Sequence, residues 1–297
     1  MPDGLSWDHH PELRDPVLVA AFEGWNDAGD AATAAADWLV GHCANAEPAP
    51  FATIDSDEHV DYQSRRPRVQ IVDGVVTSLQ WPLHACYATE WSERDVVVVR
   101  GIEPNLKWRD YCDGVIAVAR GTSCGTVVTL GALLGDVPHT RPVRVTGSSN
   151  DPDVVDELGL VASRYEGPTG IVGVLTDACR AAGLRTVSLW APVPHYVASP
   201  PNPPATRALL ERLSGLAGVR FGLDALELLA DAWRVQVDHA LTGNDEMQSY
   251  VQELERRVDA EDAEQQGVVL GENDIPSADD LVDEVEQFLR DQEGDGG

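Results

Sequence analysis

Hydrophobic positions in this 297-residue chain fall into continuous runs in its first three quarters and into helical stripes after residue 222. Residues 16–22 (PVLVAAF) are apolar throughout and begin at a proline, as a strand buried on both faces would. Residues 28–40 predict a helix, because alanines favour that state and Trp38 and Leu39 bring bulk to its end. Residues 51–54 and 69–71 read as short strands, with Asp73-Gly74 shaped as a hairpin turn before VVTSLQW. Residues 95–100 (DVVVVR) are the clearest strand. Pro104 suits a first helical turn, so a helix is expected over 104–120. Strands follow at 126–134, 141–146 and 186–190, with a helix at 170–182 whose Ile171, Val174, Leu175 and Ala178 share one face. Pro192, Pro194, Pro200, Pro201, Pro203 and Pro204 predict a stiff extended loop, ending where Ala205 starts a helix. Strands alternating with helices imply a three-layer α/β/α sandwich around a mixed, mostly parallel sheet.

From residue 222 the pattern is helical only. Leu223, Leu226, Leu229, Ala230 and Trp233 form one apolar stripe, and Met247, Val251, Leu254 and Val258 form a narrower one. Residues 261–271 dilute into a polar linker. Ser277 and Asp280 then give a capping signal before an amphipathic helix carrying Leu281, Val285, Phe288 and Leu289. The predicted organisation is a sandwich domain over 1–221, a helical appendage over 222–266, and an acidic linker, helix and disordered tail over 267–297. The two stripes are more apolar surface than a monomer leaves in water, which predicts a homo-oligomer, a trimer.

Charge narrows the partners. The formal net charge is −29, and residues 242–297 hold 18 acids against Arg256, Arg257 and Arg290. Such a chain repels phosphate backbones and anionic lipid, which argues against nucleic acid and membrane as partners. No apolar run reaches membrane-spanning length, and the N-terminus has no signal-peptide pattern, so a cytoplasmic location is expected. Cys43, Cys86, Cys112, Cys124 and Cys179 are scattered without a C-x-x-C pair, which predicts neither disulfides nor zinc. They read as small buried apolar residues.

Three groups of residues could carry chemistry. Glu23, Trp25, Asn26, Asp27 and Asp30 follow the first buried strand, where open α/β sheets place ligand crevices. Their carboxylates could hold a cation or exchange protons, or Asn26 or Asp27 could cap the next helix. Gly167, Thr169 and Gly170 open a helix whose free N–H groups could receive an anion, or Thr169 could serve only as a cap. His195 and Tyr196 sit in the proline loop, fixed either for a partner or for packing. No two histidines have helical metal spacing, Ser148-Ser149 is no nucleophile elbow, and no metal or cofactor is expected. Lys107 is the only lysine, which leaves little with which to grip a nucleotide.

Four motifs, FEGWNDAGDAATAAADWL (22–39), RDVVVVRGIEPNLKW (94–108), EGPTGIVGVL (166–175) and SLWAPVPHYVASPPNPPATRALLERL (188–213), resemble the actinobacterial branch of the proteasome assembly chaperone 2 family. The likeness runs from about residue 16 to residue 243 with the motifs in family order. It implies a phosphorylase/hydrolase-like α/β/α fold and a non-enzymatic assembly-chaperone or protein-interaction role, with proteasome subunits as possible partners. It supplies no catalytic residue. Partner-docking relatives often end in a hydrophobic residue, a tyrosine and one more residue, whereas this chain ends Glu293-Gly-Asp-Gly-Gly297. The competing reading is an enzyme or binder of a small anionic metabolite, a nucleoside or phosphate ester, in the crevice at the strand ends.

Overall fold

A computed structural model describes residues 4–42, 49–154, 161–162 and 166–270. Its strands are β1 (Leu5–Trp7), β2 (Val17–Glu23), β3 (Ala52–Ile54), β4 (Arg68–Val72), β5 (Val75–Gln80), β6 (His84–Thr89), β7 (Val96–Ile102), β8 (Thr126–Gly135), β9 (Thr146–Ser149), β10 (Val161–Ala162) and β11 (Arg185–Pro194). Its helices are α1 (Ala31–Gly41), α2 (Ser56–His59), α3 (Trp108–Gly121), α4 (Ile171–Ala181), α5 (Pro203–Ala217), α6 (Asp224–Leu241) and α7 (Asp245–Leu270). Nine strands form one sheet in the order β1-β3-β6-β7-β2-β8-β11-β9-β10, while β4 and β5 pair only with each other.

The centre of the sheet is parallel, β7 and β8 flanking β2 and β11 following β8, and its β1, β3 and β6 side is antiparallel. Strand alternation explains the continuous apolar runs. Val17, Val19 and Ala21 face the layer of α1 and α5, whereas Leu18, Ala20 and Phe22 face the layer of α3 and α4. A strand covered on both sides has no solvent face on which to place polar residues. The result is the expected three-layer sandwich.

Several boundaries differ from the sequence expectation. The helix expected from Pro104 begins at Trp108, because the backbone N–H groups of Asn105 and Leu106 bond the carbonyl of His59 and Lys107 takes a left-handed conformation (φ 50°). The strand expected at 141–146 lies at Thr146–Ser149, antiparallel to β11. The strand expected to end at Trp190 continues to Pro194. From Ala191 onward it pairs with β8 only, so Pro192 and Pro194 lie where no second neighbour needs an N–H. The following helix starts at Pro203 rather than Ala205. Asn202 Oδ1 accepts from the Ala205 N–H at 3.0 Å, and the prolines occupy first-turn positions that lack an acceptor anyway.

The chain divides into two compact units, Met1–Asp245 and Glu246–Gly297. In the first, α6 buries Leu226, Ala230 and Val237 but leaves Leu228, Leu229 and Val235 in solvent. In the second, the segment expected to become a linker at 261 is helical to Leu270. Its alanine, glutamate and glutamine residues are polar yet favour the helix, so polarity alone did not end it. The predicted cap at Ser277 and the final helix lie outside the described residues. No helix among the described residues is long and apolar enough to cross a membrane.

Candidate functional site

The C-terminal ends of β2, β7 and β8 meet where an open α/β sheet presents its crevice. After Glu23 the chain turns through Gly24 (φ 130°), where a Cβ would lie 3.3 Å from Cβ of Glu103, and then runs along β8, the Ala132 N–H bonding the Asn26 carbonyl at 2.8 Å. This path sends Asn26 and Asp27 inward and Trp25 outward. Trp25 is 66% exposed, whereas Asn26 and Asp27 are buried.

Asp27 and Glu23 in this crevice are bound to the protein itself, whereas Asp30 is exposed. Oδ1 of Asp27 accepts from the backbone N–H groups of Ala32 (2.7 Å) and Thr33 (3.1 Å), and its Oδ2 accepts from the Thr33 hydroxyl. Burial raises its pKa, against these hydrogen bonds. Asp27 therefore caps α1 across the intervening turn, with Gly29 and Asp30 both at positive φ. Glu23 is held by Arg65 Nη2 at 2.7 Å and Arg100 Nη1 at 3.2 Å.

The start of α4 has a comparable occupant. Oε1 of Glu103 accepts from the Ile171 N–H at 2.9 Å and from Asn26 Nδ2 at 2.8 Å, placing a carboxylate where the helix N-terminus would favour an anion. Gly170 must remain glycine, since a Cβ would lie 2.4 Å from Asn26 Nδ2 and 2.5 Å from Glu103 Oε1. Gly167 and Thr169 are exposed, and the Thr169 side chain makes no cap on α4. Glu103 lies within EPNLKW, where nothing in the local sequence points to a helix cap. Its partners, Asn26 and Ile171, are 77 and 68 residues away.

Trp25 and Thr169 line a cavity of about 910 Å³ with Leu134, Ser148, Thr176 and Trp190. A chain of polar side chains runs along it: Trp190 Nε1 donates to Ser188 Oγ (3.0 Å), Thr129 Oγ1 to Ser188 Oγ (3.0 Å), and the hydroxyls of Thr129 and Thr176 lie 3.1 Å apart. The indole of Trp190 lies on Gly131, where a Cβ would come within 2.6 Å of the ring.

The proline loop adds Ala198 to the lining. Asn202 binds Gly29 through its N–H (3.0 Å) and packs against it so closely that a Cβ on Gly29 would sit 2.9 Å from Cβ of Asn202, joining two of the sequence motifs. The Tyr196 hydroxyl accepts from the His139 backbone N–H at 2.8 Å and lies 2.8 Å from His139 Nδ1, while His139 Nε2 faces Asp238 Oδ1 at 2.9 Å. In the neutral ring Nε2 carries the proton, and Nδ1 accepts from the tyrosine. Tyr196 thus ties the loop to α6. His195 is exposed, with Nδ1 3.2 Å from Asp136.

Cys86, Cys112, Cys124 and Cys179 are buried and free, and burial pushes their thiols up to about 12, 12, 11 and 12. A thiol held protonated is a poor nucleophile. Cys43 lies outside the described residues. Among the described residues no group of three or more His, Cys, Asp or Glu is arranged around a metal position.

An α/β/α sandwich with the acids at its strand ends paired internally and aromatic and apolar groups facing outward is the class of protein defined here. The chain belongs to the PAC2 family, whose sequence model matches residues 21–241. It is similar to a PAC2 family protein from Streptomyces avermitilis MA, 48% identical over 80% of this chain and 100% of that one, with a TM-score of 0.73. It is also similar to a Mycobacterium tuberculosis proteasome-assembly chaperone homologue, 46% identical over 79% and 99% of the two chains, TM-score 0.73. A second M. tuberculosis protein, of unknown function, is 28% identical over 91% and 93% with a TM-score of 0.82. Among curated proteins none matches.

Proposed function

We propose that this chain is a non-enzymatic, assembly-chaperone-like protein that binds proteasome-related subunits in the cytoplasm and works as a homo-oligomer, a trimer. The observation that carries the reading is its 46% identity to the M. tuberculosis proteasome-assembly chaperone homologue. The geometry supports it. Asp27 and Glu103 are spent on helix ends, and Glu23 on two arginines, so the crevice offers a partner its exposed Trp25 rather than a free acid/base pair. Among the residues of the crevice and proline loop, Trp25, Gly167, Thr169 and His195 are exposed, and they, with Tyr196 next to His195, are the residues we assign to partner contact.

Self-association has its own support. Leu228, Leu229 and Val235 on α6 and the β4–β5 ribbon expose large apolar side chains in the single chain. The sandwich of 1–221 would then carry the helical appendage of 222–266 and the acidic segment of 267–297 as attachments.

The test is reconstitution. Proteasome α- and β-subunits from the source organism, mixed with and without this protein, are followed by native mass spectrometry. A complex with α-subunits and faster appearance of the complete particle are expected. Absence of any complex at micromolar concentrations would overturn the reading.

A further inference from the structure

At the base of the β4–β5 ribbon, where β2 and β7 end, lies a second cavity of about 500 Å³, lined among others by Glu23, Arg65, Arg66, Arg68, Arg100 and Trp81. Four arginines around one acid are unexpected in a chain of net charge −29. Their pairing shows which charges are spare. Glu23 bridges Arg65 and Arg100, and Arg100 turns its other edge to Asp37, with Nε to Oδ1 at 2.5 Å and Nη2 to Oδ2 at 3.1 Å. Two carboxylates thus balance two guanidinium groups. Arg66 and Arg68 have no ion pair among the described residues and are exposed, which leaves two positive charges at the mouth.

Remote carboxylates do not cancel them. At physiological ionic strength the screening length is about 8 Å, so distant acids weigh little against the nearby arginines, while the Tyr62 hydroxyl holds one nearer carboxylate, Asp57, on the Trp81 side. Planar guanidinium forks match doubly charged oxyanions in geometry as well as in charge. Trp81 adds an apolar plane. It is 53% exposed and is braced by the Tyr62 ring, whose centroid is 4.9 Å away at 67°. The volume lies within the range of small-molecule pockets, about 300–1,000 Å³.

We propose that this pocket binds a small molecule bearing a dianionic group, a phosphate monoester or a dicarboxylate, next to a flat apolar ring. Arg66 and Arg68 receive the dianion, Glu23 holds Arg65 and Arg100 in position behind it, and Trp81 takes the ring. The site shares Glu23 with the crevice around Asn26 and Glu103 but is otherwise lined by different residues, and it does not depend on the chaperone reading.

Isothermal titration of the full chain at low salt, with phenyl phosphate, phthalate and inorganic phosphate as probes, tests it. One of the two ring-bearing dianions is expected to bind once per chain, more tightly than inorganic phosphate, and the arm that responds identifies the anion. Arg66→Ala with Arg68→Ala should weaken that binding at least about tenfold and leave the melting temperature in place. If that pair lowers the melting temperature, Arg66→Lys with Arg68→Lys keeps the charge while losing the forks, and weaker binding is again expected. Lack of saturable binding by both ring-bearing probes, equal affinity for inorganic phosphate, or binding that the arginine variants leave unchanged would overturn the proposal.

Discussion

Oε1 of Glu103 lies 2.9 Å from the backbone nitrogen of Ile171, so a residue just beyond β7 caps a helix that begins 68 positions later. The same oxygen receives the Asn26 amide, and one carboxylate therefore locks the ends of β2, β7 and α4 together. Glu103→Ala removes the oxygen that accepts both hydrogen bonds and leaves the buried Asn26 amide without its partner. A loss of about 1–3 kcal/mol in urea unfolding is expected. Glu103→Gln, which keeps one oxygen in place, should cost less. Equal losses in the two variants would show that the side-chain oxygen is not the locking element.

Burial carries a pH signature at His84. Its ring packs against Gly101, where a Cβ would lie 2.3 Å from Cδ2, and its Nε2 lies 2.9 Å from the Ile102 carbonyl. Burial pushes its pKa down from 6.5 to about 4, the hydrogen bond to Ile102 opposing and His59 assisting. The folded value lies below the unfolded one, so between them the unfolded chain takes up a proton that the folded chain refuses. Stability from this group is complete above 6.5 and is lost as pH falls toward 4. Between about pH 7 and about pH 5 the loss is on the order of 2 kcal/mol. Denaturant unfolding of the wild type and His84→Asn at both pH values measures it, and the variant should lack this part of the slope.

Tyr196 offers a third measurement. Its hydroxyl bridges the backbone and ring of His139, which in turn faces Asp238 on α6. Tyr196→Phe keeps the ring and leaves the buried His139 N–H without its acceptor, for an expected cost of about 1–3 kcal/mol. Hydrogen exchange should show faster opening of the 135–139 and 195–199 backbone while the central strands are unchanged. Unaltered exchange in both segments would remove Tyr196 from its role as a tie.

What the sequence made legible was what depends on neighbouring residues. The runs at 16–22 and 95–100 became β2 and β7, and Asp73-Gly74 became the ribbon turn, with both residues at positive φ. Asp27 also reads correctly as a helix cap among the alternatives for its cluster, because the helix it caps follows directly. The Glu103 cap and the Tyr196 to His139 to Asp238 connection were not legible. Each joins residues at least 57 positions apart, and neither a spacing nor a propensity records such a pairing. The prolines of β11 misled for a related reason. A proline excludes a strand only where both neighbours need its N–H, and neighbours are a property of the sheet rather than of the local sequence.

The ribbon supplies the last prediction. Val69 pairs with Leu79 and Ile71 with Val76 across β4 and β5, and all four are more than half exposed. A two-stranded ribbon alone in water is marginal, and one with a bare apolar face gains stability by covering it. Because β4 and β5 take no part in the nine-stranded sheet, polar substitutions there should leave the sandwich intact. Ile71→Thr with Val76→Thr keeps β-branched residues in both strands while removing apolar surface from the exposed face. If this face joins copies of the chain, light scattering should report a multiple of 32.0 kDa for the wild type and a smaller mass for the double variant, with the melting temperature of the sandwich little changed. A wild type that scatters as a single chain at micromolar concentration would rule out self-association, and an assembled double variant would place the contact elsewhere, with the exposed side of α6 the next surface to substitute.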